Sequence, residues 1–150
     1  MIRLIDEGDR AEWLRMRTAL WPTDPDLVKQ MEAIYAGTAM VKGVFVKERG
    51  DGQGEGPVPL GGFIEIGERQ YAEGCETSPV AFIEGWYVDG DLRNQGVGRA
   101  LVAAAEKWAK RRGYTEMGSD LVLGNDISLN AHLALGFKEV ERLVALAKRL

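Results

Sequence analysis

A strand, a glycine-rich turn and a helix follow one another between residues 80 and 113, and they constrain the fold more than any other segment. Residues 80–88 are nearly all apolar, which predicts a strand buried on both faces. Residues 93–99 read Arg-Asn-Gln-Gly-Val-Gly-Arg, and a helical pattern then runs to Arg112 before Gly113. Because glycine-rich turns and helix N-termini present free backbone N–H groups, this order predicts an anion-binding site.

The spacing of the glycines in this turn indicates which class of anion-binding loop it resembles. A Walker-type loop requires a Gly-Lys-Ser/Thr step, which the sequence lacks, and a dinucleotide fingerprint requires a third Gly or Ala where Leu101 stands. The remaining pattern, Arg-x-x-Gly-x-Gly over residues 93–98, resembles the acetyl-CoA pyrophosphate loop of the GCN5-related N-acetyltransferases. A plain strand-to-helix turn with a glycine-rich cap is the alternative interpretation.

The resemblance implies that acetyl-CoA is the co-substrate. It implies contacts from the end of the strand and from the loop, at Trp86, Tyr87, Val88, Arg93, Asn94, Gln95, Gly96, Val97, Gly98 and Arg99. The same resemblance implies acetyl-CoA contacts from three residues of a later segment: Asn125, Ser128 and His132. Asn125 also fits a helix cap, and a packed or solvated role for His132 is the simpler alternative.

The order of predicted elements indicates an α/β (α+β) fold formed by one domain over residues 1–150. Strands are expected at residues 1–5, 40–47, 60–66, 80–88, 114–121 and 138–148, and helices at 9–20, 26–36, 100–112 and 127–134. Asp9 is expected to cap the first helix, and the expected core stripe of the third helix is Leu101, Val102, Ala105, Trp108 and Ala109. Residues 49–59 are rich in Gly, Asp, Glu and Pro and predict an exposed hairpin loop. Since strands alternate with helices only in the second half, we expect a mixed, mostly antiparallel sheet. The resemblance adds a splayed parallel central pair, with the strands near Val88 and Asp120 joined through the long helix.

The composition of the chain argues against several other classes of protein. The chain has 150 residues, 45% of them hydrophobic and 28% charged, as in ordinary globular domains. It lacks an apolar run of 18 residues and a signal-peptide core, so we expect neither a membrane span nor a membrane partner. With one Cys, no internal disulfide can form and a cytoplasmic location is expected, while one Cys and one His argue against a metal site.

Charge is unevenly distributed along the chain. Residues 1–91 hold 17 Asp and Glu against 9 Lys and Arg, whereas residues 92–150 hold 10 Lys and Arg against 6 Asp and Glu. An acidic first half fits a cationic partner and a basic second half fits a phosphorylated cofactor. Ordinary surface solvation explains the same counts. The overall net charge of −4 argues against nucleic-acid binding.

A narrower resemblance rests on four separate stretches, at residues 13–22, 71–80, 84–88 and 119–137. Together they resemble the type I aminoglycoside 6′-N-acetyltransferases. The resemblance implies direct transfer of acetyl from acetyl-CoA to the 6′-amine of an aminoglycoside, which confers antibiotic resistance. A polyamine or protein amine as acceptor is the first alternative, and a non-catalytic acyl-CoA-binding domain is the second.

The implied chemistry assigns roles to a few residues. An amine attacks a thioester only as the free base, so a carboxylate must take its proton, and Glu84 and Asp120 are the candidates. The backbone N–H of Val88 is the candidate donor to the developing oxyanion. The resemblance places Tyr71 and Trp21 at the acceptor site.

Each of these side chains has a structural alternative. Glu84 fits pairing with an arginine, and Asp120 fits a turn cap. Tyr71 fits an exposed surface position, and Trp21 fits the core.

Some positions depart from the pattern of these relatives and leave the substrate range open, namely Gly124, Leu129 and Ala145. The resemblance also implies a homodimer. In the last predicted strand, the residues at alternate positions are Val140, Arg142, Val144, Leu146 and Lys148, a pattern that fits pairing with a second chain.

Overall fold

The computed structural model describes residues 1–50, 54 and 56–150. Its strands are β1 (Ile2–Leu4), β2 (Val41–Glu48), β3 (Leu60–Arg69), β4 (Val80–Val88) and β5 (Met117–Ser119). Its α-helices are α1 (Arg10–Leu20), α2 (Leu27–Tyr35), α3 (Val97–Arg111) and α4 (Asp126–Ala134), with short 3-10 turns at Glu7–Asp9 and Gly90–Leu92. None of the helices in this described part is long and apolar enough to cross a membrane.

The five strands form one sheet in the order β1-β2-β3-β4-β5. All neighbouring strands are antiparallel except β4 and β5, which are parallel. The crossover between these two strands carries α3, as a parallel connection requires. The predicted mixed sheet with one parallel pair is therefore confirmed.

Each face of the sheet has its own core. On one face, here called the α3 face, the helix buries the predicted stripe against β3 and β4: Leu101, Val102, Ala105, Trp108 and Ala109. On the opposite α1 face, α1 and α2 bury Trp13, Met16 and Met31 against Val44, Val46, Leu60 and Phe63. Because side chains alternate along a strand, the two cores fix which face each β4 residue presents.

Two helix starts differ from the sequence prediction. Helix α3 begins at Val97 rather than at residue 100, so Gly98 lies within its first turn. Asp9 does not cap α1; its carboxylate instead accepts hydrogen bonds from Arg3 and from the Asp6 backbone N–H. The carboxylate that the sequence assigned to the helix cap is therefore bound by Arg3, which lies in β1.

The β2–β3 hairpin is confirmed, and β3 continues to Arg69, three residues beyond its predicted end. The predicted hairpin loop lies partly outside the described residues, since Asp51, Gly52, Gln53 and Glu55 are not described. Strand β5 is shorter than predicted, because its pairing with β4 is limited to residues 117–119.

The predicted last strand at residues 138–148 is wrong for this chain. The segment has no regular secondary structure, and it exposes Val140, Leu143, Val144 and Leu146. An alternating pattern becomes a strand only when a neighbouring strand accepts its backbone hydrogen bonds. No strand of the described chain pairs with this segment.

Candidate active site

The parallel strands β4 and β5 separate soon after they begin to pair. Their register runs from Ala81 with Met117 to Ile83 with Ser119, and the described residues show no pairing beyond that point. The rest of β4 therefore faces a gap on the side where β5 would continue. The strands β4 and β5 are therefore the splayed parallel pair that the family resemblance implied.

The backbone of β4 directs selected N–H groups into this gap. The N–H of Asp89 donates to the carbonyl of Gly61, so Asp89 turns its backbone groups toward β3. Because successive residues of a strand turn their backbone groups to opposite sides, the N–H groups of Trp86 and Val88 face the gap. The Val88 N–H thus has the orientation that a donor to an oxyanion needs.

A β-bulge displaces Glu84 from the regular ladder. Glu65 pairs with Gly85 and Ile66 pairs with Ile83, so Glu84 has no partner residue on β3. Bulges re-aim side chains near functional sites. The Glu84 carboxylate lies on the α1 face, where it meets Arg69.

The loop before α3 has the geometry of an anion cradle. Asn94 and Gly96 take positive φ values of 60° and 83°, and the first helical hydrogen bond runs from Ala100 to Gly96. The N–H groups of the first turn therefore have no acceptor within the helix. A Cβ at Gly98 would lie 3.0 Å from Trp86 Cζ2, so glycine allows this close approach.

The loop side chains are exposed, and two of them fold back onto the backbone. Arg93 Nε donates to the Val88 carbonyl at 3.0 Å, and Gln95 Nε2 donates to the Asp91 carbonyl at 2.7 Å. Asn94 and Arg99 face solvent, whereas Val97 is buried against the α3 core. The predicted loop residues are thus brought together at one end of the gap.

A buried carboxylate fixes the backbone just ahead of this loop. Asp89 accepts hydrogen bonds from Arg15 Nη1 at 3.0 Å and from Arg49 Nη2 at 2.9 Å. Burial alone would raise the pKa of Asp89, but the two arginines lower it to about 2. Because Arg15 belongs to α1 and Arg49 follows β2, this network joins three elements at the base of the loop.

On the α3 face, His132 sits in a polar and aromatic pocket. Its Nδ1 lies 2.7 Å from the Ser128 carbonyl and its Nε2 lies 2.8 Å from the Ser119 hydroxyl. Since a carbonyl only accepts, the contact with Ser128 requires a proton on Nδ1. The ring also packs edge-on against Trp86 at 5.0 Å, so His132 is a buried, packed residue.

The α1 face beside the bulge carries the predicted acceptor carboxylates. Arg69 holds both oxygens of Glu84, with Nε and Nη2 each at 2.8 Å. Gly118 packs against Phe82 on this face, so strand alternation places Asp120 on it as well. Asp120 is exposed, and no hydrogen bond or ion pair to it occurs in the described chain.

Trp21 covers the bulge from the side of α1. A Cβ at Gly85 would lie 2.6 Å from Trp21 Cη2, and the ring lies 6.3 Å from Phe63. The Arg17 guanidinium sits 5.0 Å from the Trp21 ring and forms a buried ion pair with Glu65. Trp21 therefore bounds the α1 face at the bulge, next to Gly85.

Tyr71 lies in the connection between β3 and β4. It is 67% exposed, and its hydroxyl donates to Glu73 at 2.8 Å, which raises its pKa. Its neighbour Ala72 packs close to Gly118, so the connection rests on β5 beside Asp120. Cys75 follows in the same connection, and burial raises the pKa of its thiol.

Two of the predicted cofactor residues also make contacts within the chain. The Tyr87 ring lies on the α1 face, stacked on Phe63 at 6.1 Å, and so lies across the sheet from Trp86. The Asn125 side chain accepts from the Ser128 N–H at 3.2 Å, which confirms the helix-cap interpretation. The described residues include no cluster of three metal-ligating side chains.

Arg69, Arg17 and Glu65 were missed as site residues by the sequence interpretation. Arg69 is the only Lys or Arg between positions 50 and 92, an isolated cation in an acidic stretch, and that isolation was the available signal. The possibility that an arginine pairs with Glu84 is confirmed. The Arg17–Glu65 pair had no local signal, because the two residues lie 48 positions apart.

Known proteins are similar to this chain in both sequence and structure. The model of the acetyltransferase (GNAT) family matches residues 10–137. An aminoglycoside N(6′)-acetyltransferase type 1 of Klebsiella aerogenes is 42% identical over 153 aligned residues, which cover 100% of this chain and 97% of the relative.

Two solved structures extend the comparison to three dimensions. An aminoglycoside 6′-N-acetyltransferase of Acinetobacter baumannii superposes with a TM-score of 0.86 at 35% identity, over 100% of this chain and 98% of the other. AAC(6′)-Iy in complex with the bisubstrate analogue CoA-S-monomethyl-acetylneamine superposes with a TM-score of 0.84 at 34% identity, with the same coverage. The splayed parallel strands, the glycine-rich loop and this full-length similarity agree, and the chain belongs to the acetyltransferase (GNAT) family.

Proposed function

We propose that this chain transfers the acetyl group of acetyl-CoA to the 6′-amine of aminoglycoside antibiotics and thereby confers resistance to them. The observation that carries the proposal is the pair of carboxylates, Glu84 and Asp120, on the α1 face beside the gap into which the Val88 N–H points. The relatives named above support the choice of acceptor, since they match over the full length of this chain.

The proposed cofactor contacts follow the α3 side of the gap. Backbone N–H groups of residues 96–99 bind the pyrophosphate, helped by the exposed cations Arg93 and Arg99. The thioester lies along the gap, where the Val88 N–H stabilises the oxyanion. Ser128 and His132 line the side of the gap opposite β4, where the Ser119 hydroxyl of β5 hydrogen-bonds the His132 ring.

The proposed acceptor contacts lie on the α1 face. Asp120 and Glu84 bind the 6′-ammonium group, and Tyr71 and Trp21 bound the cleft around it. Carboxylates attract a polycationic drug, and the acidic first half of the chain strengthens that attraction.

A thiol-release assay with acetyl-CoA tests this function directly. We expect turnover with kanamycin-type drugs that carry a 6′-amine, and none with a matched aminoglycoside that carries a 6′-hydroxyl. Turnover with spermidine or a lysine peptide, but with no 6′-amino drug, would instead support the alternative acceptors. Binding of CoA without turnover of any amine would support a non-catalytic acyl-CoA-binding domain.

We also propose that the protein is a homodimer formed through the segment of residues 138–150. This segment exposes Leu146 at 90% and Val144 at 83%, and its apolar side chains have no partner strand in the described chain. Such a surface on a single chain favours burial against a second copy. We expect a dimer by light scattering, and a monomer for the double variant V144D/L146D; a monomeric parent protein would contradict this.

We further infer that residues 1–150 act as one domain in the cytoplasm, without nucleic-acid, membrane or metal partners. One sheet carries both cores, the net charge is −4, and the single Cys fits a reducing compartment.

A further inference from the structure

We propose that Arg49 is a positioning residue for acetyl-CoA: its guanidinium spans the carboxylates of Asp89 and Asp91 and thereby holds the glycine-rich loop in the conformation that binds the pyrophosphate. This inference rests on the proposed acetyltransferase function. It assigns a role in acetyl-CoA binding to a residue that lies outside the loop, directly after β2 in the β2–β3 hairpin.

The Arg49 guanidinium binds one carboxylate on each side of Gly90. Its Nη1 and Nη2 donate to the two oxygens of Asp91, at 2.8 and 2.7 Å, and Nη2 also donates to Asp89 at 2.9 Å. Its Nε donates to the Leu60 carbonyl at 3.1 Å. All three guanidinium nitrogens are therefore engaged, and the fork fixes the plane of the Asp91 carboxylate as well as its distance.

The carboxylate at the start of this turn binds other elements of the fold. Asp89 precedes the 3-10 turn Gly90–Leu92, and in the described chain its side chain does not cap that turn. It instead accepts hydrogen bonds from Arg15 of α1, at 3.0 Å, and from Arg49. The conformation of the turn therefore depends on two arginines that lie far from it in the sequence.

A continuous path of hydrogen bonds leads from Arg49 to the glycine-rich loop. Asp91 binds Arg49 through its side chain, and its carbonyl accepts from Gln95 Nε2 at 2.7 Å. Between these two residues Asn94 takes a φ of 60°, which a residue other than glycine keeps only where its surroundings hold it. Gln95 directly precedes Gly96, so a shift of Asp91 changes the direction of the N–H groups that open α3.

The exposure of the Arg49–Asp91 pair separates loop positioning from stability. The Asp91 side chain is 64% exposed and that of Arg49 is 31% exposed. An exposed ion pair contributes little to the free energy of unfolding, and Asp89 keeps its contacts with Arg15 when Arg49 is replaced. Loss of Arg49 should therefore release the loop while the fold remains nearly as stable.

The test measures the Kd of CoA by titration calorimetry, without an acceptor. Arg49→Met and Asp91→Asn should each raise this Kd by about tenfold, as expected when a binding loop loses its preorganisation. If Arg49 acted only as a positive charge, Asp91→Asn would tighten CoA binding, because it removes a negative charge near the pyrophosphate. The double variant Arg49→Met/Asp91→Asn should bind CoA no more weakly than Arg49→Met, because both changes break the same contact.

A donor without the pyrophosphate provides a second readout. Acetylpantetheine carries the same thioester as acetyl-CoA but has no group for the glycine-rich loop to bind. In Arg49→Met, kcat/KM for acetyl-CoA should fall by about tenfold while kcat/KM for acetylpantetheine stays at the parent value. The drug KM should also be unchanged. A general loss of structure would instead lower the activity with both donors.

Arg10→Met is the matched control. Arg10 also binds two carboxylates, those of Glu7 and Glu32, at an exposed site. We expect the parent CoA Kd for this variant. Circular dichroism and the urea midpoint verify the folding of every variant, and Asp91→Asn carries the test if Arg49→Met unfolds.

Three results would overturn the inference: an unchanged CoA Kd in folded Arg49→Met, an unchanged or lower CoA Kd in Asp91→Asn, or an equal loss of activity with the two donors. Failure of the proposed function gives a different result, namely CoA binding by the unmodified protein without turnover of any 6′-amino drug. The calorimetric measurements then still decide the role of Arg49. An unmodified protein that does not bind CoA contradicts both proposals.

Discussion

Arg17 and Glu65 form an ion pair that is almost fully shielded from water, with 2.8 Å between Nε and Oε1. Burial raises the pKa of Glu65, and the attraction of Arg17 opposes that rise. Arg17 also donates to the Leu27 carbonyl and lies 5.0 Å from the Trp21 ring. Because a buried ion pair rarely stabilises a fold more than apolar side chains of the same size, we expect this pair to matter chiefly for the position of Trp21 over the bulge.

Replacing both members of the Arg17–Glu65 pair should separate its effect on the stability of the protein from its effect on drug binding. Arg17→Met or Glu65→Leu alone should lower the free energy of unfolding by about 3–5 kcal/mol, because each leaves one buried charge unpaired. The double variant Arg17→Met/Glu65→Leu should recover most of that loss in urea titrations. Since Trp21 then lacks its cation, the drug KM should rise about tenfold while the acetyl-CoA KM stays unchanged.

Arg10→Met provides the control for this experiment, because Arg10 pairs with Glu32 and stacks on Tyr35 at an exposed site. It should change neither stability nor KM appreciably. Full recovery of drug KM in the stable double variant would show that the buried pair does not position Trp21.

Gly85→Ala should displace Trp21 directly. The added Cβ would lie 2.6 Å from Trp21 Cη2, so the indole must move away from the bulge. We expect a higher KM for the drug and an unchanged KM for acetyl-CoA, measured by thiol release. Gly43→Ala is a matched control, since its Cβ would lie 2.9 Å from Trp108 Nε1 in the opposite core. That variant should lose stability without a change in either KM.

Gly96→Ala should weaken acetyl-CoA binding. Gly96 has a φ of 83° with open space around it, so an alanine meets backbone strain of about 1–2 kcal/mol rather than a clash. The loop relieves this strain by changing the direction of its N–H groups, which raises the acetyl-CoA KM. Gly113→Ala, at a φ of 87° beyond the other end of α3, carries the same strain and should leave that KM unchanged.

Asp89 should make the protein sensitive to acid. Its pKa is about 2 in the folded protein against an ordinary value of 3.8. A depressed pKa contributes stability that is present above the ordinary value and is lost as pH falls through the folded value, here between about pH 4 and pH 2. Asp89→Asn should therefore lose about 2 kcal/mol at pH 7 and show a flatter decline over this range.

Urea unfolding at a series of pH values measures this effect. Asp26→Asn is a suitable control, because Asp26 is exposed and forms no ion pair in the described part of the chain. Equal acid sensitivity of Asp89→Asn and the parent protein would contradict the role of the Arg15–Asp89–Arg49 network.

Local periodicity was sufficient to predict two of the buried elements of the fold. The predicted strand at residues 80–88 has the observed bounds, and the predicted stripe on α3 is buried residue by residue. Both follow from apolar spacing that a reader of the sequence can count. The glycine pattern likewise located the anion loop, since only glycine takes positive φ without strain.

Pairing between separate elements of the fold accounts for the predictions that failed. Asp9 was expected to cap α1 but binds Arg3, and residues 138–148 were expected to form a strand but find no partner in the described chain. Glu84 was singled out from the sequence as a site residue, yet its environment depends on Arg69, which lies 15 residues away on another strand. None of these contacts leaves a periodic signal in the sequence.

The sequence by itself determined the order of elements as far as α4, the glycine-rich loop and the family, because these depend on residue types at short and fixed spacings. The tertiary structure alone decided which carboxylate is paired and which is free. A bulge in β4 turns Glu84 toward Arg69, while the early end of β5 leaves Asp120 exposed beside the gap. The physical reason is that charge pairing depends on distances of a few ångströms between strands, and those distances exist only once the sheet has formed.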